Sequence, residues 1–187
     1  MNKRALSLLM VLVMVVALLP VTVRAGEYQY GDFIYSRSRY QVTITGYTGD
    51  AADVVIPAEI EGLPVTSIGS RAFAECSSLT SIVLPDSLTS IGSASFSDCS
   101  SLFNIDIPDG VIYIEDWTFF GCSGLTSIML PDSITYIGEY AFGGCSSLTR
   151  IDIPDSVNYI GFSSFSNLIK EACAYGKTPG QLQVNLL

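Results

Sequence analysis

Apolar residues in the middle of the chain return in a fixed cadence. Leu79, Ile82 and Leu84 form one group, and Leu88 with Ile91 forms a second. Twenty-three residues on, Leu102, Ile105 and Ile107 are followed by Val111 and Ile114. The pattern returns as Leu125, Ile128, Leu130, Ile134 and Ile137, then as Leu148, Ile151, Ile153, Val157 and Ile160. The last two members of the first group stand two residues apart and include β-branched side chains, as a strand with one buried face requires. Pro85, Pro108, Pro131 and Pro154 end that strand, because proline cannot donate to a ladder. Asp86, Asp109, Asp132 and Asp155 follow them, and Pro-Asp is turn chemistry. The second group predicts a short strand or extended turn on the opposite side of a coil. Gly92, Gly138 and Gly161 come next, with Glu115 as the exception.

Two further columns hold the same phase. Phe73, Phe96, Phe119, Phe142 and Phe165 recur at 23 residues, as do Cys76, Cys99, Cys122 and Cys145. A period of 20–29 residues marks a leucine-rich solenoid, in which each repeat is one coil of a superhelix. One coil cannot cover its own Leu/Ile/Phe layer, so neighbours must bury it, and about three coils are needed for stability. The expected fold is a right-handed, mainly β repeat solenoid of parallel strands, with one main strand per coil and an N-terminal β-hairpin cap.

The ends depart from the period. Residues 1–25 read as a signal peptide: Lys3 and Arg4 precede the apolar run Ala5 to Pro20, and Val23 and Ala25 suit cleavage before Gly26. The other reading is a retained anchor, since the run approaches a minimal span of ~17 residues. After cleavage no membrane span is expected. Residues 26–47 are assigned to the cap, with Phe33-Ile34-Tyr35 and Tyr40–Ile44 as its hairpin. Residues 48–168 form the solenoid, a variant first coil followed by four 23-residue coils. In the variant coil five residues are inserted around Glu59 to Leu63, because Pro57 and Pro85 are 28 apart. Position 168, the next cysteine place, is Leu, and residues 169–187 form a short tail that reads as abbreviated.

Charge narrows the partners. Removing residues 1–25 takes away Lys3, Arg4 and Arg24 and no acid, so nine basic residues become six against 18 acidic ones, and a net charge of −9 becomes −12. Nucleic acid and anionic membrane surfaces both need a basic face and are excluded as partners. The chain has no His, the commonest general base and zinc ligand. Five cysteines in an exported chain invite disulfides. Coils ~4.8 Å apart would give suitable Cα distances, but in-register columns point their Cβ atoms in parallel rather than toward each other. The four column cysteines are therefore expected to be buried, aligned, unpaired thiols. Cys173, outside the column, is read as the reactive one. No CxxC or Cys/His metal pattern occurs, and neither metal nor cofactor is expected.

The unit Cys-Ser-Ser-Leu-Thr-Ser-Ile-x-(Ile/Leu)-Pro-Asp-Ser-x-Thr-x-Ile-Gly-x-x-(Ala/Ser)-Phe, clearest over Cys122–Phe142 and Cys145–Phe165, resembles the BspA-type leucine-rich repeats of bacterial surface proteins. The lead-in Tyr40–Ile44, Gly46–Gly49, Val54–Pro57 and Gly62–Gly69 looks like that family's first coil. The resemblance covers roughly residues 40–168. It implies a protein secreted or displayed outside the cell and linked to adhesion, though fold alone does not fix a ligand.

Specificity then belongs to surface positions. Ser90, Tyr113, Tyr136 and Tyr159 share one column, and Trp117, Phe120 and Tyr140 lie near it in sequence. Tyr and Trp dominate binding hot spots, whereas a plainer reading is that stacked Tyr satisfies strand propensity and covers the core. A second candidate face is the outward side of the main strand, led by Phe103, Met129 and Arg150. The Asp column suits turns better than calcium, because single carboxylates in a row are not a cage. Serines lack a visible base, so no catalytic residue is assigned and the chain is not read as an enzyme. The preferred function is binding to an extracellular or cell-surface protein. The alternative is a structural spacer, or a truncated fragment of a larger surface protein, with no ligand of its own.

Overall fold

The structure, a computed structural model, describes residues 26–166. The leader assigned to 1–25, position 168, the tail 169–187 and Cys173 lie outside the described residues.

Three strands open the described residues: β1 (Tyr28–Tyr30), β2 (Phe33–Arg37) and β3 (Val42–Tyr47), joined antiparallel in that order. The expected hairpin is β2–β3, and β1 adds an edge to it that the hydrophobic pattern did not reveal. All three residues of β1 are exposed, so it carries no apolar signal. Arg37 holds this edge through an ion pair with Glu61 and a cation–π contact over the Tyr28 ring at 4.8 Å. The hairpin and the solenoid share β3, which pairs in parallel with β6 (Leu63–Ile68). The insertion at Glu59 to Leu63 is itself a hairpin: β5 (Glu59–Ile60) turns back onto β6 through Glu61 and Gly62. Both turn residues have positive φ, 54° and 75°, the pattern of a tight type I′ turn.

Beyond this point two ladders run along the molecule. The main ladder stacks β4 (Asp53–Val55), β7 (Ser81–Val83), β9 (Asn104–Asp106) and β11 (Ser127–Met129) in parallel. In the last described coil it shrinks to a single bridge, Met129 to Asp152. The second ladder holds β8 (Ser90–Ile91), β10 (Tyr113–Ile114), β12 (Tyr136–Ile137) and β13 (Tyr159–Ile160), each two residues long. These are the strands expected on the opposite side of the coil. The Pro-Asp-Ser turns lie between the ladders, with Leu88, Val111, Ile134 and Val157 each donating N–H to the proline carbonyl three residues back. The serine of that turn ties its coil to the one before. Ser87, Ser133 and Ser156 donate to the carbonyls of Val65, Val111 and Ile134 in the preceding coil, at 2.6–2.7 Å.

The third side of each coil carries the Phe column, which is stacked face to face from Phe73 to Phe165 with centroids 5.4–5.6 Å apart. Tyr47 continues it over Phe73 at 5.3 Å, and Phe33 lies against Tyr47, so the cap supplies the aromatic layers that close that end. Phe73, Phe96, Phe119 and Phe142 are fully buried; Phe165, in the last described coil, is only partly so.

The cysteine column is unpaired, with one correction. Cys99, Cys122 and Cys145 are buried, each donating its thiol to the carbonyl of the Phe 26 residues before it, at 3.0–3.1 Å. Cys76 is only half-buried. Its predecessor is the variant coil, whose chain runs differently and leaves the outer side of that thiol open. Burial pushes the Cys76 thiol up to about 11 and the Cys145 thiol up to about 12.

The packing of this core is open to two tests. Phe119→Ala should destabilise the protein by ~3–5 kcal/mol, the range for a deleted buried ring, and Phe165→Ala by clearly less. Equal shifts in urea midpoint would show the last coil packed as tightly as the centre. Among the four column thiols, Cys76 should be alkylated first in the folded protein. Its rate should rise about tenfold per pH unit until the thiol ionises, because the thiolate is the nucleophile. Preferential labelling of Cys122 would contradict the packing described.

Candidate functional site

The backbone just beyond the glycine column sets up the surface. In every coil the residue two places after the glycine position is left-handed: Arg71 (φ 60°), Ala94 (55°), Trp117 (62°), Tyr140 (52°) and Ser163 (52°). None is glycine, though a side chain here costs ~1–2 kcal/mol in steric conflict. The two bulkiest, Trp117 and Tyr140, stack on each other with centroids 4.5 Å apart and planes 22° apart. Phe120 packs against Trp117 at 4.6 Å, and Phe162 meets Tyr140 edge-on at 5.8 Å. Trp117 and Phe162 are 40% and 45% exposed. Trp117, Phe120 and Tyr140, near one another in sequence, are thus brought into contact by the structure. Phe162 is absent from the sequence-based candidates.

The tyrosine column forms a second row. Tyr113 and Tyr136 are register partners in edge-to-face contact at 6.1 Å; Tyr136 and Tyr159 lie parallel at 4.7 Å. Tyr113 and Tyr159 are exposed, and Tyr136, in the middle, is half-buried. Carboxylates adjoin the row. Burial first, then the charges of Asp116, Glu115 and Glu139 with the neighbouring Tyr159, raise the Tyr136 hydroxyl above its ordinary value. Asp116 and Glu139 are tied together, since the Glu139 N–H donates to Asp116 Oδ1 at 2.8 Å. Trp117 N–H in turn donates to the Glu139 carbonyl at 2.9 Å. The surface is thus two aromatic groups with three acids along their border.

An interruption of the fold coincides with this place. The second ladder is continuous from β6 to β8 and again from β10 to β13, but β8 and β10 do not pair. The break falls at the one coil that lacks the column glycine. A Cβ at Gly92 would stand 2.7 Å from Ser70 N, one at Gly138 2.5 Å from Asp116 N, and one at Gly161 2.5 Å from Glu139 N. At these three positions the coils lie too close for a Cβ. Glu115 carries one, and the pairing is lost in its coil, although Ala94 N–H still donates to the Asp116 carbonyl at 2.9 Å. The break also divides the hydroxyl part of the column from the aromatic part. On one side Ser90 donates to Ser67 at 2.9 Å; on the other stands the tyrosine row.

The second candidate face is the outer side of the main ladder. Phe103 and Met129 are exposed, Met129 at 75%, together with Val55 and Val83. Val55 is opposite Val83, and Met129 is opposite Asp106 and Asp152. Arg150 is held by Asp152 in a bidentate pair at 2.9–3.1 Å, both side chains well exposed. Phe103, Met129 and Arg150 occupy three different columns of the repeat. Among the described residues no group of His, Cys, Asp and Glu is arranged to hold a metal ion. No helix among them is long and apolar enough to cross a membrane.

Residues 65–177 match the BspA-type leucine-rich repeat region in six copies. A leucine-rich repeat protein of T. pallidum is similar in structure, with a TM-score of 0.72 and 36% identity, over 76% of this chain and 69% of that one. A leucine-rich repeat protein from Bacteroides ovatus is similar at a TM-score of 0.69 and 34% identity, over 74% of this chain but 38% of that one. The pneumococcal vaccine antigen PcpA shares the fold, at a TM-score of 0.65 and 20% identity, over 83% of this chain and 38% of the antigen. No curated protein matches the chain.

The glycine column can be tested where it fails. Glu115→Gly should let β10 close onto β8, slow hydrogen exchange at the residue-115 amide and add up to ~1 kcal/mol of stability, the net worth of a backbone hydrogen bond. Unchanged exchange there would assign the break to another cause.

Proposed function

The chain belongs to the BspA-type leucine-rich repeat family, and we propose that it is an exported protein whose aromatic flank binds an extracellular or cell-surface protein. Export rests on the leader pattern of residues 1–25. Binding rests above all on one observation: aromatic side chains from successive coils stack along one side of the molecule, with Tyr113, Trp117, Tyr159 and Phe162 exposed. Trp117 and Tyr140 occupy left-handed positions that glycine adopts freely. Tyr and Trp also bring large contact area at low entropy cost, which is why they dominate hot spots.

The spacer alternative makes the opposite demand, since a spacer needs no exposed rings. The test is Tyr113→Ser/Tyr136→Ser/Tyr159→Ser. Folding should survive nearly intact, because Ser90 already fills this column in its own coil. Binding to immobilised extracellular-matrix and cell-surface proteins should weaken by at least ~2 kcal/mol, a hot-spot magnitude. A folded triple variant that binds as well as the parent would remove the tyrosine row from the site. It would leave the face of Phe103, Met129 and Arg150 as the next candidate, and a parent that binds none of the panel would favour the spacer.

A further inference from the structure

The place where the repeat breaks its own rules is charged as well as aromatic. Most coils read Gly-Ser-Arg, Gly-Ser-Ala, Gly-Glu-Tyr or Gly-Phe-Ser at the three positions ending in the left-handed residue; one reads Glu115-Asp116-Trp117. That single coil gives up the glycine, loses its pairing with β8 and puts the largest side chain on a left-handed backbone. Two consecutive acids and the chain's one tryptophan are the result. Tyr113 stands before them on the same strand end, and Glu139-Tyr140 stands beside them in the next coil. No compensating base is near in sequence: between Arg71 and Arg150 the chain contains no Lys, Arg or His. The flank therefore carries negative charge alongside exposed ring faces, and a planar cation satisfies both.

We infer that the flank formed by Tyr113, Glu115, Asp116, Trp117, Tyr136 and Glu139 docks an arginine-bearing segment of a partner protein. The inference rests on the binding role proposed above and supplies its chemistry. A guanidinium stacks on an aromatic face and at the same time offers a fork of N–H donors to a carboxylate. An ammonium is a point charge with a stronger hydration shell and gains less from the rings. A neutral sugar stacks on the rings and donates hydroxyls to the carboxylates, but it leaves their negative charge unneutralised. The row continues from coil to coil at the strand spacing of ~4.8 Å, so a segment several residues long can lie along it, which a free amino acid cannot.

The chain's single tryptophan reports on this place directly. Short capped peptides alternating Gly with Arg, Lys, Glu or Ser are titrated against the full chain while Trp117 fluorescence is followed. The Arg peptide should give a saturable change that weakens as salt is raised. The Lys peptide should bind at least fivefold more weakly, and the Glu and Ser peptides should give no saturable change. Glu115→Gln/Asp116→Asn/Glu139→Gln keeps the acceptor for the Glu139 N–H and should weaken Arg-peptide binding at least tenfold at unchanged melting temperature. Asp106→Asn/Asp109→Asn/Asp132→Asn removes equal charge elsewhere and should bind the peptide as the parent does. The inference falls if the Arg peptide gives no saturable change, if Lys and Arg peptides bind alike, or if the two triple variants weaken binding equally, which is general attraction to an acidic protein. A matrix or cell-surface ligand lost by the three Tyr→Ser changes but kept by the three amide changes would uphold the binding role and overturn the arginine assignment. A ligand kept by both variants would overturn both.

Discussion

A 23-residue coil encloses a single layer of side chains, and that layer is dry only if another coil lies against each side of it. Neighbouring backbones must therefore approach to hydrogen-bonding distance on every side of the coil, in register, along the length of the molecule. The main ladder, the second ladder, the Phe stack and the thiol-to-carbonyl contacts are separate expressions of this closeness. Where it is met, Phe96, Cys99, Phe119 and Cys122 are fully buried. Where a neighbour differs, as beside Cys76, or lies outside the described residues, as beside Phe165, burial is incomplete.

The same constraint dictates which residues are free to vary. Columns aimed inward admit only Leu, Ile, Val, Phe, Cys or small residues, because a void or an overfilled layer is transmitted to both neighbours. The glycine column is constrained by backbone contact rather than by the core, since a Cβ at Gly92, Gly138 or Gly161 would meet the neighbouring backbone at 2.5–2.7 Å. Glu115 violates this locally, and the lost pairing between β8 and β10 is confined to one ladder because the main ladder and the Phe stack still carry the coil. A solenoid tolerates such a defect better than a globular core would, since each coil contacts only its neighbours.

Outward columns are where a repeat can hold information. In-register stacking turns one position in the repeat into a row on the surface, so three tyrosines spaced 23 residues apart become a continuous strip of rings. The irregular positions do more. Trp117 and Phe120, from one coil, meet Tyr140 and, through it, Phe162 from the next two. With the acids between them, this flank combines area, rigidity and charge, whereas the main-ladder face offers exposed Val55, Val83, Phe103 and Met129 with no shared cluster.

The period alone determined the coil, its two strands, its Pro-Asp turn, the stacked Phe and unpaired Cys columns, and the membership of the tyrosine row. A residue's neighbours in a solenoid are its own equivalents one repeat away, so spacing in sequence is distance in space. The insertion at Glu59 to Leu63 was legible for the same reason, as a change in the interval between Pro57 and Pro85. Features without a repeat to predict them were decided by the tertiary structure. β1 is polar and exposed, and it exists because β2 offers an edge. Tyr47 completes the Phe stack from outside the period, and Cys76 opens to solvent because its predecessor coil is the irregular one. The contact of Trp117 with Tyr140 depends on a left-handed backbone that neither side chain favours, imposed on both by the coil between its ladders. Glu115 was visible as an exception to a glycine column; that the exception parts two strands follows only from how near the next backbone would otherwise come.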